Sequence, residues 1–97
     1  MIRKPRFPQV SAEMPDGSKI HIVGRDAETL LRLVERGAKG LTAFDFPGGP
    51  PFRLPAYVHD LRALGLSIIT EREPHATGHH GVFTLQTPVR ILRVVEG

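Results

Sequence analysis

Ninety-seven residues, 40% hydrophobic and 24% charged, describe one small globular domain and neither a disordered nor a fibrous chain. The lack of cysteine excludes a disulfide framework, a thiolate metal site and a cysteine nucleophile, and fits a reducing cytosol, so a cytoplasmic protein is expected. The formal net charge of +3 lies in the tails, because residues 7–89 hold eight Lys/Arg against nine Asp/Glu, which argues against a strongly basic body.

Residues 1–8 read as a mobile basic arm carrying Arg3, Lys4 and Arg6; no apolar core follows them, so they are not a secretory signal. Val10, Ala12 and Met14 alternate, Pro15-Asp16-Gly17-Ser18 supplies turn chemistry, and Ile20 and Ile22 alternate with Lys19 and His21, which predicts a short β-hairpin. Asp26 is placed to cap a helix whose apolar stripe is Ala27, Leu30, Leu31 and Val34, with Arg25, Glu28, Arg32, Glu35 and Arg36 on the wet side and Gly37 as the stop. Thr42 and Asp45 have capping-box spacing, with Asp in place of the usual Glu, and predict a short second helix. Pro47-Gly48-Gly49-Pro50-Pro51 then forbids regular structure.

The organising element is a third helix over Arg53–Leu64. Leu54, Val58 and Leu61 fall on one face, Leu64 extends the stripe, Pro55 suits the first turn, and Gly65 ends the helix with a left-handed residue. The opposite face carries Arg53, Tyr57, Asp60 and Arg62, with His59 beside them. Leu66 to Thr70 predicts a strand, Glu73–His80 a polar loop, and Gly81 to Gln86 the returning strand. Pro88 breaks it, and Val89 to Val95 is a last strand or a segment packed on the body. The domain is accordingly drawn over 9–88, with 89–97 as a C-terminal strand or tail. No apolar run approaches membrane-spanning length.

Strand, helix, short helix, longer helix and two-stranded hairpin is the winged-helix order. The stretch from about Ile20 to Gln86 resembles the winged helix-turn-helix proteins of bacteria and their phages. The resemblance rests on Gly40-Leu41-Thr42-Ala43, on the helix Arg53 to Arg62, and on Gly65-Leu66-Ser67-Ile68. It implies an α+β fold with three helices, a C-terminal β-hairpin wing and an N-terminal strand or hairpin. It also implies a prophage-linked transcriptional regulator that places helix 53–64 in the major groove of duplex DNA and the wing 72–81 on the adjacent backbone. The Pro/Gly connection between the second and third helices is longer than the tight turn of the standard motif.

Arg53 is a candidate base reader and Arg62 a candidate phosphate contact; the plain alternative is a solvated, salt-bridged face. Tyr57 offers its hydroxyl to phosphate or simply caps the core with its ring. His59 lies beside them. Arg72, His75, His79 and His80 would contact backbone from the wing, together with Arg3, Lys4 and Arg6 from the arm. The histidine spacing is compatible with zinc or nickel, but nothing flanking it fixes a geometry, so no metal or other cofactor is expected. No nucleophile–base pair, P-loop or dinucleotide fingerprint is present, so no enzyme is expected. Helix-turn-helix modules usually read DNA as dimers, and Val89 to Val95 is a candidate dimer contact; equally, it closes the core. A second reading, a protein-interaction module, is favoured by the near-neutral body and by Phe44, Phe52 and Tyr57 as candidate exposed aromatics.

Overall fold

The computed structural model describes residues 7–46, 53–75 and 78–95. Strands β1 (Gln9–Glu13) and β2 (Lys19–Val23) form the expected antiparallel hairpin, in which Val10 faces Ile22 and Ala12 faces Ile20. The Asp16 carboxylate closes its turn by accepting the Ser18 backbone N–H at 2.9 Å and the Ser18 hydroxyl at 2.6 Å. Those two bonds hold the Asp16 carboxyl below the usual carboxylate range. Helix α1 (Gly24–Arg36) follows directly, then a single 3₁₀ turn over Gly37–Lys39.

Helix α2 (Leu54–Ala63) leads into the antiparallel pair β3 (Ile68–His75) and β4 (Gly78–Leu85). The last strand, β5 (Arg90–Val95), returns to β1 and gives a second sheet of order β2-β1-β5. A bulge between Ser11 and Ala12 shifts its register. The segment left open as strand or tail is therefore a strand of the main body. It is an edge strand, and Leu92, Val94 and Val95 remain exposed on it.

One core joins both sheets and both helices. It includes Val10 and Ala12 of β1, Leu30 and Leu33 of α1, Val58 and Leu61 of α2, and Phe83 of β4. The apolar stripe of α1 is rotated from the sequence expectation. Leu33 is buried where Val34 was expected, and Val34 is 40% exposed. The stripe is wide enough that spacing alone admits either residue, and packing against the hairpin and α2 decides between them. Thr29 is also fully buried, its hydroxyl satisfied by donating to the Arg25 carbonyl at 2.8 Å. Asp26 is not the cap: α1 begins two residues earlier, with extended Val23 at the N-cap position, and Asp26 sits in the first turn.

The expected three helices reduce to two α-helices among the described residues. The middle one is a single 3₁₀ turn, Ala43–Asp45. Its capping chemistry is as read: the Asp45 carboxylate accepts the Thr42 N–H at 2.8 Å and the Thr42 hydroxyl at 3.1 Å. Helix growth fails because the following Pro and Gly residues disfavour further turns, and one turn alone does not repay nucleation. Just before it, Leu41 bridges Phe83 of β4, donating at 2.7 Å and accepting at 2.9 Å, so a third short segment edges the β3–β4 pair. Gly40 makes that approach feasible: it has φ +81°, and a Cβ there would lie 2.4 Å from the Val82 side chain.

The polar loop expected over Glu73–His80 is a correction as well. β3 runs on to His75 and β4 begins at Gly78, so the ribbon is longer than the hydrophobic pattern suggested. A two-stranded ribbon beyond the core needs no apolar face, so alternation does not report it.

Candidate nucleic-acid interface

Helix α2 is built to show one face. Leu54, Val58 and Leu61 are buried, and Pro55 occupies the first turn, where its missing N–H is not needed. Leu64, expected to extend the stripe, is instead 46% exposed, because it is the C-cap residue beyond the last helical turn. The helix ends in a Schellman arrangement: Gly65 (φ +99°) donates to the Arg62 carbonyl at 3.0 Å and Leu66 to the Leu61 carbonyl at 3.3 Å. Leu61 and Leu66, the pair that flanks this motif, are both buried. The chain then enters β3 within a few residues, so helix and ribbon are joined by a short, fully hydrogen-bonded corner. Ser67 completes it, accepting from the Gln86 N–H and donating its own N–H to the Thr87 hydroxyl, each at 2.8 Å.

At about 100° per residue, the direction opposite the buried stripe falls on Ala56, His59 and Ala63, with Asp60 to one side. His59, Asp60 and Ala63 are exposed and Ala56 is half-buried. The outermost line of the helix is thus mostly small side chains, a feature that a search for charged groups in the sequence does not bring out. Arg53 is exposed at the N-cap position, where the helix amides begin. Tyr57 is half-buried, consistent with a ring that leans on the body.

The charged residues of this helix do not form one patch. Asp60 reaches towards α1, where burial first, then a hydrogen bond donated to Asp60 by the protonated Asp26 carboxyl and the charge of Asp60, push the Asp26 carboxyl up to about 6. Arg62 lies on the other flank, against the ribbon. Its Nε donates to the Ile68 carbonyl at 3.0 Å, and its Nη2 donates to the same carbonyl at 2.5 Å and to the Thr70 hydroxyl at 2.8 Å. Neither Asp60 nor the acidic residues of the ribbon is its partner in these bonds.

Arg72, His75, His79 and His80 lie along the ribbon. The register sets Arg72 opposite Gly81, Glu73 opposite His80, Pro74 opposite His79 and His75 opposite Gly78. Arg3, Lys4, Arg6 and Phe52 lie outside the described residues, as does the side chain of Phe44. The described chain begins at Phe7, whose ring lies 4.5 Å beneath the Arg25 guanidinium on the first turn of α1. Arg25 also pairs with Glu28. The root of the basic arm is therefore beside the end of α1 that meets α2.

Among the described residues no three His, Asp or Glu side chains gather as metal ligands. No helix among them is long and apolar enough to cross a membrane. An open hollow of about 180 Å³ lies between Leu33, Val34 and Gly37 of the α1 end and Leu85 to Val89, away from α2.

The sequence model of the winged helix domain family matches residues 19–95, from β2 through β5. No curated protein and no solved structure matches the chain.

Proposed function

The chain belongs to the winged helix domain family, and from that premise we propose that it binds duplex DNA as a transcriptional regulator, with α2 in the major groove and the β3–β4 ribbon as its wing. The observation that carries this reading is the outward line of half-buried Ala56 with exposed His59 and Ala63, and exposed Arg53 at the helix start. A major groove about 12 Å wide admits a helix, and small side chains let the helix axis approach the base edges. Arg53 stands where the positive end of the helix dipole adds to its own charge. It is the base or phosphate contact of first rank, with His59 and Tyr57 beside it. The wing residues Arg72, His75, His79 and His80 and the arm residues Arg3, Lys4 and Arg6 supply backbone contacts.

A second reading, docking of a protein partner on the same face, draws on Asp60, an exposed acid on the helix that Arg53 caps. Fluorescence anisotropy with random duplex DNA at low salt, repeated at higher salt, separates the two. Binding that weakens steeply with salt supports the DNA reading. No binding at low salt refutes it and favours the protein partner.

A further inference from the structure

Arg62 is the most exposed-looking cation on the recognition helix after Arg53, yet its guanidinium is turned along the protein. Two of its nitrogens converge on one carbonyl, that of Ile68, and one of them continues to the Thr70 hydroxyl. Ile68 is the first residue of β3, and Thr70 lies two residues further along it. The same Arg62 gives its backbone carbonyl to the Gly65 N–H that closes the helix. One residue in the last turn of α2 therefore holds both the end of the helix and the root of the ribbon. Charge-assisted bonds of this kind are the strong ones, and two of them onto one carbonyl fix a direction as well as a distance.

The ribbon needs such a device. Among the residues of β3 and β4 whose side chains are described, Ile68, Val82 and Phe83 at the base of the ribbon are buried, while Ile69, Thr70 and Glu71 are exposed. A two-stranded hairpin is only marginally fixed by its own pairing. Its aim is set at the root, by Leu41 on the β4 side and by the α2–β3 corner on the other. At that corner the Arg62 bonds are the ones that run from helix side chain to strand.

We propose that Arg62 is a positioning residue, a strut that sets the angle of the wing relative to the recognition helix, and that it supports DNA binding through the wing and not through a phosphate contact of its own. This rests on the DNA-binding reading for its effect on affinity, but the strut itself is testable without DNA. The chain has no cysteine, so His59→Cys with Glu71→Cys gives a clean pair of spin-label sites on helix and wing. Pulsed electron–electron resonance on the free protein should show a narrow distance distribution, and Arg62→Ala should broaden it. Thr70→Val removes one leg of the strut while keeping the charge, and should broaden it to a smaller extent; it is the arm that stands if Arg62→Ala does not fold.

Affinity for duplex DNA is then read for Arg62→Ala in the full chain and in a short-wing form with residues 72–81 replaced by Asn-Gly, a hairpin turn closed by the existing Glu71–Val82 pair. In the full chain the substitution should weaken binding about tenfold, equivalent to about 1.4 kcal/mol. In the short-wing form it should have almost no effect, because there is no wing to aim. An unchanged distance distribution in both variants overturns the strut. So does an equal loss of affinity with and without the wing accompanied by a salt slope reduced by about one, the mark of a phosphate contact. Failure of the unsubstituted protein to bind DNA refutes the proposed function instead, and leaves the distance measurement to decide on the strut.

Discussion

Replacing Asp26 by Asn should make the protein more stable near neutral pH and less sensitive to pH. Asp26 has its carboxyl raised from 3.8 to about 6, first by burial between the helices and then by Asp60. The helix N-terminus alone would favour the anion, so the observed direction means that desolvation and the neighbouring acid prevail. The sign follows from proton linkage. Between about 3.8 and 6 the folded protein holds a proton that the unfolded chain has released, so stability falls as pH rises through that window and is flat above it. A move from 3.8 to about 6 would correspond to roughly 3 kcal/mol if fully expressed. The carboxyl is still partly open to water, so about 1 kcal/mol is the expected size after screening.

Asp26→Asn keeps the shape and a hydrogen-bonding group for Asp60, and carries no charge to bury. It should therefore gain about 1 kcal/mol at pH 7.5, or roughly 4–8 °C in Tm for a domain of this size, and match the parent at pH 4. Asp60→Asn should give a smaller gain, because burial of Asp26 remains. Urea unfolding followed by circular dichroism from pH 4 to pH 8 reads both. Parallel stability curves for parent and Asp26→Asn across that range, or a parent that gains stability from pH 4 to pH 6 through this residue, would refute the reasoning.

Other substitutions test the remaining contacts. Gly40→Ala forces a side chain into positive φ and a Cβ within 2.4 Å of Val82, and should cost about 1–3 kcal/mol in urea unfolding; a neutral result would mean that Leu41 does not need its close approach to β4. Arg53→Ala should weaken specific DNA binding by about 1–3 kcal/mol with little change in Tm if Arg53 reads a base, and an unchanged affinity would remove it from the interface. Deleting residues 1–6, which hold three of the thirteen Lys/Arg, should flatten the salt dependence of binding; an unchanged slope would show that the arm makes no phosphate contact.

Much of the fold is legible in the sequence wherever one local rule decides the outcome. Asp16 and Gly17 between alternating apolar residues give the N-terminal hairpin. Gly65 after the Leu54, Val58, Leu61 stripe gives the end of α2, down to its hydrogen-bond pattern. The Thr42–Asp45 cap is legible too, but a cap shows where a turn starts and not how far it grows, so the same signal fits a helix and the single turn that forms. The reach of the wing is not legible because its outer residues, Glu73-Pro74-His75 and Gly78-His79-His80, carry no apolar alternation.

The candidate site divides the same way. Exposure of Arg53 and His59 and burial of Leu54, Val58 and Leu61 follow from helical periodicity. What Asp60 and Arg62 do depends on other elements. Asp60 meets a carboxyl more than thirty residues earlier in the chain, and Arg62 turns to a strand that periodicity places only loosely. Three-dimensional partners of charged side chains are decided by the crossing of α1 on α2 and by the angle of the ribbon, neither of which a local pattern encodes.

The most direct test of the account is a titration of the ¹⁵N-labelled protein with a short DNA duplex, followed by amide chemical shifts. Binding through α2 and the wing should move the amides of Arg53 to Ala63 and of the β3–β4 ribbon, and leave those of β1, β2 and β5 in place. Shifts confined to the β2-β1-β5 sheet, or none at low salt, would contradict it.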